Sequence, residues 1–213
     1  MKSNQDYKNS ALASLEGKWG KAAIATLIYF VIEIGISKVI TIPMGDDVVM
    51  NYSTSGIWSL ICLPLNWAFS VYFLRLIRNE DLGYWHLFDG YKDFLRIFLT
   101  EFLIVIAVVV GLCLLIIPGI ILGAGLLMTD FILKDDPEIS ALDAMMKSWK
   151  MTDGHKAELI YLFLSFLGWI ILACLTLGIG FLLLYPYMQS ALAHVYEDLK
   201  TEKEGQPFVQ ESI

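Results

Sequence analysis

Long apolar runs separated by short polar stretches form the main pattern along this chain. Ala22–Ile42 and Ile57–Ile77 each approach the ~20 residues that a helix needs to cross a hydrocarbon core of ~30 Å. Ile97–Leu133 is largely apolar over 37 residues, which is too long for one untilted span. Because Pro118-Gly119 interrupts this run close to its centre, we expect two helices joined by a tight turn.

The last third of the chain repeats this arrangement. Leu159–Leu177 and Phe181–Val195 are apolar, and Gly178-Ile179-Gly180 lies between them, where we expect a second turn. The pattern predicts an all-α fold: a polytopic membrane helical bundle of six transmembrane helices. One membrane domain, residues 1–200, is followed by a mobile polar tail, residues 201–213. The predicted spans are residues 22–42, 57–77, 97–117, 119–133, 159–177 and 179–198.

Three polar segments outside the spans carry amphipathic patterns that are typical of helices at a membrane interface. In residues 1–20 apolar side chains recur at helical spacing, and in residues 82–92 aromatic side chains alternate with charges. In the third segment, we expect Asp136 to be the N-cap and Pro137 the first residue of a helix. The apolar face of that helix should comprise Ile139, Leu142, Met146 and Trp149.

The positions of Lys and Arg predict the orientation of the spans, because the cytoplasmic flanks of membrane proteins are enriched in these residues. In the six-span arrangement fourteen of the fifteen lie on one side, while Lys38 lies near the opposite end of the first span. The opposite side shows only Asp46 and Asp47. A four-span arrangement would place basic flanks on both sides. We therefore expect six spans with both termini in the cytoplasm.

Composition agrees with a membrane protein and disfavours several functions. Hydrophobic residues make up 57% of the chain and charged residues 17%, with a mean hydropathy of +0.62, outside the range of ordinary soluble domains. The net charge is −7 and no basic stripe interleaved with aromatic residues occurs, so we expect no nucleic-acid partner. The chain lacks zinc-site spacing and common catalytic motifs, which disfavours an enzyme without excluding one. We assign no metal, cofactor or catalytic residue.

Glu33 is the most informative polar residue within a predicted span, because a central charge costs roughly 2.5–3.5 kcal/mol on insertion scales. It lies 11 residues from the start of the first span, or ~17 Å deep, close to the membrane midplane. Counting along the second and sixth spans places Asn66 and Gln189 at a similar depth. We hypothesise that these three residues form a midplane polar cluster. The alternative is that they only hold helices together.

Two more carboxyl groups lie toward the cytoplasmic ends of predicted spans. Glu101 and Asp130 are each within a turn or two of that interface. Arg96 and Lys134, respectively, are near enough in sequence to pair with them. We therefore interpret both carboxylates as members of interfacial ion pairs.

Small residues gather on the fourth predicted span. Gly119-x-x-x-Gly123 is followed by Ala124 and Gly125. Small side chains let membrane helices approach one another closely. We therefore expect tight packing of another helix at this position.

Motifs spread over most of residues 11–198 resemble one known family. The most distinctive block contains Gly168-Trp169 and Gly178-Ile179-Gly180. It is accompanied by Leu15-x-Gly17-x-Trp19-Gly20-Lys21, Ile117-Pro118-Gly119, Asp136-Pro137, Ala141, Ser148, Gly154-His155-Lys156, Leu164-Ser165-Phe166-Leu167, Leu175-x-Leu177, Pro186-Tyr187 and Tyr196. Together they resemble the bacterial domain-of-unknown-function family numbered 975. The resemblance implies an integral protein of the bacterial cytoplasmic (inner) membrane, and it brings no established reaction, cofactor or ligand.

Three functions are open from the sequence. The first is a non-catalytic accessory protein that binds another membrane protein or a lipid through its interfacial helices and residues 136–155. The second is a transporter or permeability factor for a small solute or lipid, with broken hairpins and a cavity that reaches Glu33. The third is an enzyme acting on lipid head groups at the inner leaflet, with His155 and His194 as weak candidates. The lipid bilayer is a partner in all three.

Overall fold

The structure, a computed structural model, describes residues 2–35 and 55–204. These residues form an all-α fold without strands, in which 82% of the structure is helical, as predicted. Three stretches are long and apolar enough to cross a membrane: Phe94–Leu114, Ile116–Asp135 and Lys156–Leu175. The α-helices of the described residues, numbered in chain order, are α1 (Asn4–Leu15), α2 (Trp19–Phe30), α3 (Ser55–Ile61), α4 (Leu63–Ile77), α5 (Phe94–Leu114), α6 (Ile116–Leu126), α7 (Thr129–Asp135), α8 (Ala141–Met151), α9 (Lys156–Leu164), α10 (Leu167–Leu175) and α11 (Phe181–Glu204).

Two predicted features lie outside the described residues. One is the end of the first predicted span, with Lys38 and the Asp46-Asp47 loop; the other is residues 205–213 of the predicted tail. Helix α11 continues to Glu204, past the predicted end of the membrane domain at residue 200. The polar composition after residue 200 therefore does not end the helix.

Helix α4 is the centre of the fold. Eleven of its fifteen residues are buried, as expected of a helix that is apolar on all sides. One face, which includes Trp67 and Leu74, packs in a cluster with α1, α7, α9 and α11. The other face, which includes Phe69 and Phe73, packs against α2 and a 3₁₀ segment that follows α4. Side chains of α4 therefore contact both halves of the chain.

Helix α1 packs onto the last helix of the chain. It begins with a reciprocal cap, in which the Ser3 hydroxyl accepts the Asp6 N–H and the Asp6 carboxylate accepts the Ser3 N–H. The Tyr7 hydroxyl donates to the Asp198 carboxylate on α11 at 2.6 Å. The segment is helical, as its periodicity predicts, but its buried face contacts α11.

The 3₁₀ segment Tyr84–Tyr91 exposes Trp85 and buries an ionic cluster. The Asp89 carboxylate accepts a hydrogen bond from His86 Nδ1 at 2.6 Å and lies 2.7 Å from Lys92 Nζ. Burial alone would raise the pKa of Asp89, but hydrogen bonds and charges from Lys92 and His86 outweigh it. The pKa is therefore held below its ordinary value of 3.8.

The first hairpin, α5–α6, turns at Leu115, whose extended backbone (φ −159°, ψ 139°) separates the two helices. The predicted turn at Pro118-Gly119 is therefore wrong by three residues. Pro118 is the third residue of α6, in the first turn, where a missing N–H costs no helical hydrogen bond. The predicted close packing is confirmed at Gly119, where an added Cβ would lie 2.5 Å from the Leu112 side chain.

Helix α8 begins later than its sequence indicates. Its N-cap is Ser140, whose hydroxyl accepts the Asp143 N–H at 3.2 Å. Asp136 instead ends α7, since its N–H donates to the Ile132 carbonyl at 2.9 Å. The predicted cap at Asp136 and first turn at Pro137 are therefore wrong, because the preceding helix extends into that position.

Helix α8 is attached to the junction of α6 and α7. The Ser148 hydroxyl donates to the Gly125 carbonyl at 2.8 Å and accepts the Met128 N–H at 3.2 Å. A Cβ on Gly125 would lie 2.3 Å from the Trp149 ring, whereas nothing lies within 4 Å of a Cβ on Gly123. The small residues of α6 thus admit α8 at Gly125 and leave Gly123 facing open space.

The second hairpin joins α9, α10 and α11. Its first arm is broken at Ser165-Phe166, and the Lys8 ammonium of α1 donates to the Ser165 carbonyl at 2.8 Å. The turn lies at Leu177 and Gly178, with φ values of 55° and 88°. The prediction of a turn at Gly178 is confirmed, and glycine tolerates this left-handed conformation without strain.

Candidate functional site

A pair of carboxyl groups lies where α4, α5 and α7 meet. Only four of the 21 residues of α5 are buried, and three of them, Ile97, Thr100 and Glu101, lie in its first three turns. Helix α7 is buried along most of its length, and α4 packs beside both helices. The first turns of α5 therefore point Glu101 into the protein.

The Glu101 carboxyl is hydrogen-bonded to the Asp130 carboxyl on α7, and the Ser70 hydroxyl on α4 is hydrogen-bonded to Asp130. The Trp67 indole N–H, one turn before Ser70, donates to the Asp130 main-chain carbonyl at 3.0 Å. Three helices thus fix the position of one acidic pair. We call Glu101 and Asp130 the carboxyl pair.

The carboxyl pair has no cationic partner in the described part of the chain. Glu101 is 8% exposed, and its Oε1 atom has no hydrogen-bond partner. The Arg96 guanidinium instead pairs with Asp93 at 2.6 Å and donates to main-chain carbonyls, including that of Asp136. The predicted ion pairs Glu101–Arg96 and Asp130–Lys134 are therefore wrong, because both carboxyl groups face inward, toward each other.

Two carboxyl groups in hydrogen-bond contact away from water cannot both carry a charge at acceptable cost. A hydrogen bond between them also needs a proton, since an ionised carboxylate can only accept. The pair is therefore built to hold one proton between Glu101 and Asp130. Buried ionisable groups inside a membrane bundle are expensive and commonly mark proton sites.

The structure places the three residues of the hypothesised midplane cluster in different surroundings. The Asn66 carbonyl oxygen accepts the Tyr29 hydroxyl at 2.7 Å. Glu33 lies one turn beyond Tyr29, in a π-helical turn that continues α2, and its carboxyl is hydrogen-bonded to the Cys62 thiol. Gln189 is half-buried on α11, and no described hydrogen bond joins it to either residue.

The two histidines named from the sequence do not share a site. His155 contacts Glu158 at 3.3 Å and Glu202 at 3.1 Å. His194 lies 2.7 Å from the Ser14 hydroxyl. No group of three or more metal-ligating side chains is assembled among the residues that the structure describes.

An ionic network lies at the far end of α7. Arg78, just after α4, donates to both Asp135 carboxylate oxygens at 2.6 and 2.8 Å and to Glu197 on α11 at 2.6 Å. Asp135 also accepts from the Tyr196 hydroxyl at 2.9 Å and from the Lys200 ammonium at 2.6 Å. We call these five residues the Arg78 network. Helix α7 therefore has the carboxyl pair at its start and this network at its end.

One sequence signal could have indicated the carboxyl pair. Glu101 lies 14 residues before Leu115, and Asp130 lies 15 residues after it. Positions equally far from a hairpin turn lie at the same level on the two arms. With the turn placed at Pro118 the same counts are 17 and 12, so the match is hidden.

The family model described as "Protein of unknown function (DUF975)" matches this chain over residues 1–117 and 102–203. Together these two matches run from the first residue to residue 203 of 213. No curated protein and no solved structure matches it.

Proposed function

We propose, from the premise that the chain belongs to the family described as "Protein of unknown function (DUF975)", that it is a non-catalytic integral membrane protein that responds to protons. The carboxyl pair binds and releases one proton. Helix α7 carries the resulting change to the Arg78 network. This makes the chain an accessory protein whose shape at one end of the bundle follows its protonation state.

Six spans with both termini in the cytoplasm of a bacterial cell are part of this proposal. Helices α5, α6–α7 and α9–α10 would supply three spans, since these stretches are long and apolar enough. Helices α2, α3–α4 and α11 would supply the others; α2 and α4 each pack against α11. The one-sided distribution of Lys and Arg supports the orientation. In this arrangement the Arg78 network lies at the cytoplasmic face.

The observation that carries the proposal is the position of α7 between two charged sites. Asp130 is its second residue and Asp135 its last, so seven residues separate a shared proton from a network that joins α4 and α11. Loss of the proton leaves two negative charges beside each other at one end of this short helix. Their repulsion favours separation of α5 from α7, and α7 cannot shift without straining the Arg78 network.

Infrared spectroscopy of the purified full chain tests the proton directly. We expect one protonated carboxyl band at neutral pH in the wild type, lost on alkaline titration. The double variant Glu101→Gln/Asp130→Asn should lack that band. Asp93→Asn, which removes an exposed carboxylate from the same helix end, is the matched control and should retain it. Absence of the band in the wild type would refute the shared proton.

Hydrogen–deuterium exchange of peptides that cover α7 tests the structural response. Compared with the double variant at the same pH, the wild type should exchange faster at alkaline pH and equally at acidic pH. The comparison at each pH cancels the intrinsic pH dependence of exchange. Equal exchange of the two proteins at every pH would refute the coupling, even if the carboxyl band is present.

The same carboxyl pair also favours a second function, proton-coupled transport, because acidic residues within membrane bundles form proton relays in transporters. Proteoliposomes that contain a pH-sensitive dye distinguish the two. A proton flux that disappears in the double variant supports transport. A flux equal to that of protein-free liposomes supports the sensing function.

A further inference from the structure

An apolar cleft of about 300 Å³ lies on the side of the bundle, between the N-terminal helices and the second hairpin. Three of its lining residues are more than half exposed: Trp169 at 53%, Leu172 at 52% and Leu183 at 54%. The cleft therefore opens outward, to whatever surrounds the bundle, and away from the carboxyl pair. Leu12 and Trp19 form its wall on the N-terminal side.

The cleft is long and narrow. On α11 its lining runs from Gly180 to Tyr187, and on α10 from Trp169 to Thr176, seven residues in each case. Seven helical residues rise about 10 Å. Because the walls are apolar side chains of two roughly antiparallel helices, this shape suits an extended hydrocarbon chain.

A cation lies beside one end of the cleft. Lys8 is one helical turn before Leu12, and its ammonium lies 4.5 Å from the centre of the Phe166 ring. That ring packs edge-to-face against Tyr187, a lining residue, with 5.1 Å between ring centres. The ammonium has three N–H donors, and the Ser165 carbonyl takes one at 2.8 Å. Donors therefore remain for an anionic group.

We propose that the cleft binds one phospholipid, with an acyl chain along α10 and α11 and the phosphate at Lys8. Charge complementarity between ammonium and phosphate, next to an apolar channel, favours this occupant over a helix from another protein. The site is independent of the carboxyl pair. It therefore stands or falls separately from the proton-sensing function.

Native mass spectrometry of the full chain, with added phosphatidylglycerol as the probe, tests this site. We expect one tightly bound lipid in the wild type and a roughly tenfold weaker affinity, equivalent to ~1.4 kcal/mol, in Leu183→Trp, because the larger side chain fills the cleft. Leu167→Trp alters an exposed leucine of α10 outside the lining and should bind as the wild type does. Equal binding by these two variants would overturn the proposal.

The role of Lys8 is tested with two lipids. Lys8→Gln should weaken binding of phosphatidylglycerol and leave that of diacylglycerol, which has no phosphate, unchanged. Phosphatidylglycerol with brominated acyl chains should quench tryptophan fluorescence in the wild type and less in Leu183→Trp at equal tryptophan count to Leu167→Trp. Equal effects of Lys8→Gln on both lipids, or a cleft-dependent protein dimer without bound lipid, would overturn the proposal.

Discussion

Replacement of Arg78 by methionine should be the most damaging change at the Arg78 network. The guanidinium makes three hydrogen bonds of 2.6 to 2.8 Å to two carboxylates on different helices. Methionine keeps the apolar stem and removes all three bonds. Glu197 then loses its cationic partner in the network, while Asp135 keeps Lys200 and Tyr196.

The expected loss of stability lies between two limits. Removal of one partner from a fully buried ion pair costs about 3–5 kcal/mol, and an exposed pair contributes about 0–1 kcal/mol. The side chains of Arg78 and Asp135 are 24% and 17% exposed, and that of Glu197 is 35% exposed. Because water and Lys200 compensate part of the lost attraction, we expect Arg78→Met to lower the free energy of unfolding by about 2–3 kcal/mol.

Equilibrium unfolding of the full chain by SDS in mixed micelles, followed by circular dichroism, measures this loss. Lys92→Met is the matched control, since Lys92 is 76% exposed and pairs with Asp89 alone. That change should cost no more than about 1 kcal/mol. A difference between the two variants of less than about 0.5 kcal/mol would show that solvent screens the Arg78 network and would refute the reasoning.

Two further predictions concern packing and acid sensitivity. Gly125→Ala places a Cβ 2.3 Å from the Trp149 ring and should destabilise the protein by about 1–3 kcal/mol in the same titration. Gly123→Ala, with nothing within 4 Å of the new Cβ, should be neutral or stabilising, and equal losses for both would contradict this packing. Because the folded pKa of Asp89 is lowered, its contribution to stability is present above pH 3.8 and is lost as the pH falls through its folded pKa. Asp89→Asn should therefore be less stable than the wild type at neutral pH and lose less stability below that value, and parallel acid denaturation curves would contradict the prediction.

The sequence alone determined the helices and most of their ends. Apolar runs of the length of a span leave backbone groups that only a helix can satisfy without water, so Phe94–Leu114 and Lys156–Leu175 were predictable as apolar helical stretches. The turn at Gly178 was predictable because glycine tolerates a positive φ. The turn at Leu115 was not, since nothing in its side chain marks a turn and Pro118 is tolerated inside the first turn of a helix.

Only the tertiary structure decided which polar groups meet. Local spacing joins Glu101 with Arg96, but the direction of α5 against α4 and α7 points Glu101 inward, where Asp130 lies. A shift of the hairpin turn from Pro118 to Leu115 changes the relative level of the two arms by about 9 Å at ~1.5 Å per residue on each arm, enough to hide or reveal the carboxyl pair. Side-chain meetings across helices depend on such levels and rotations, which arise from packing of the whole bundle, whereas helix formation depends on neighbours along the chain.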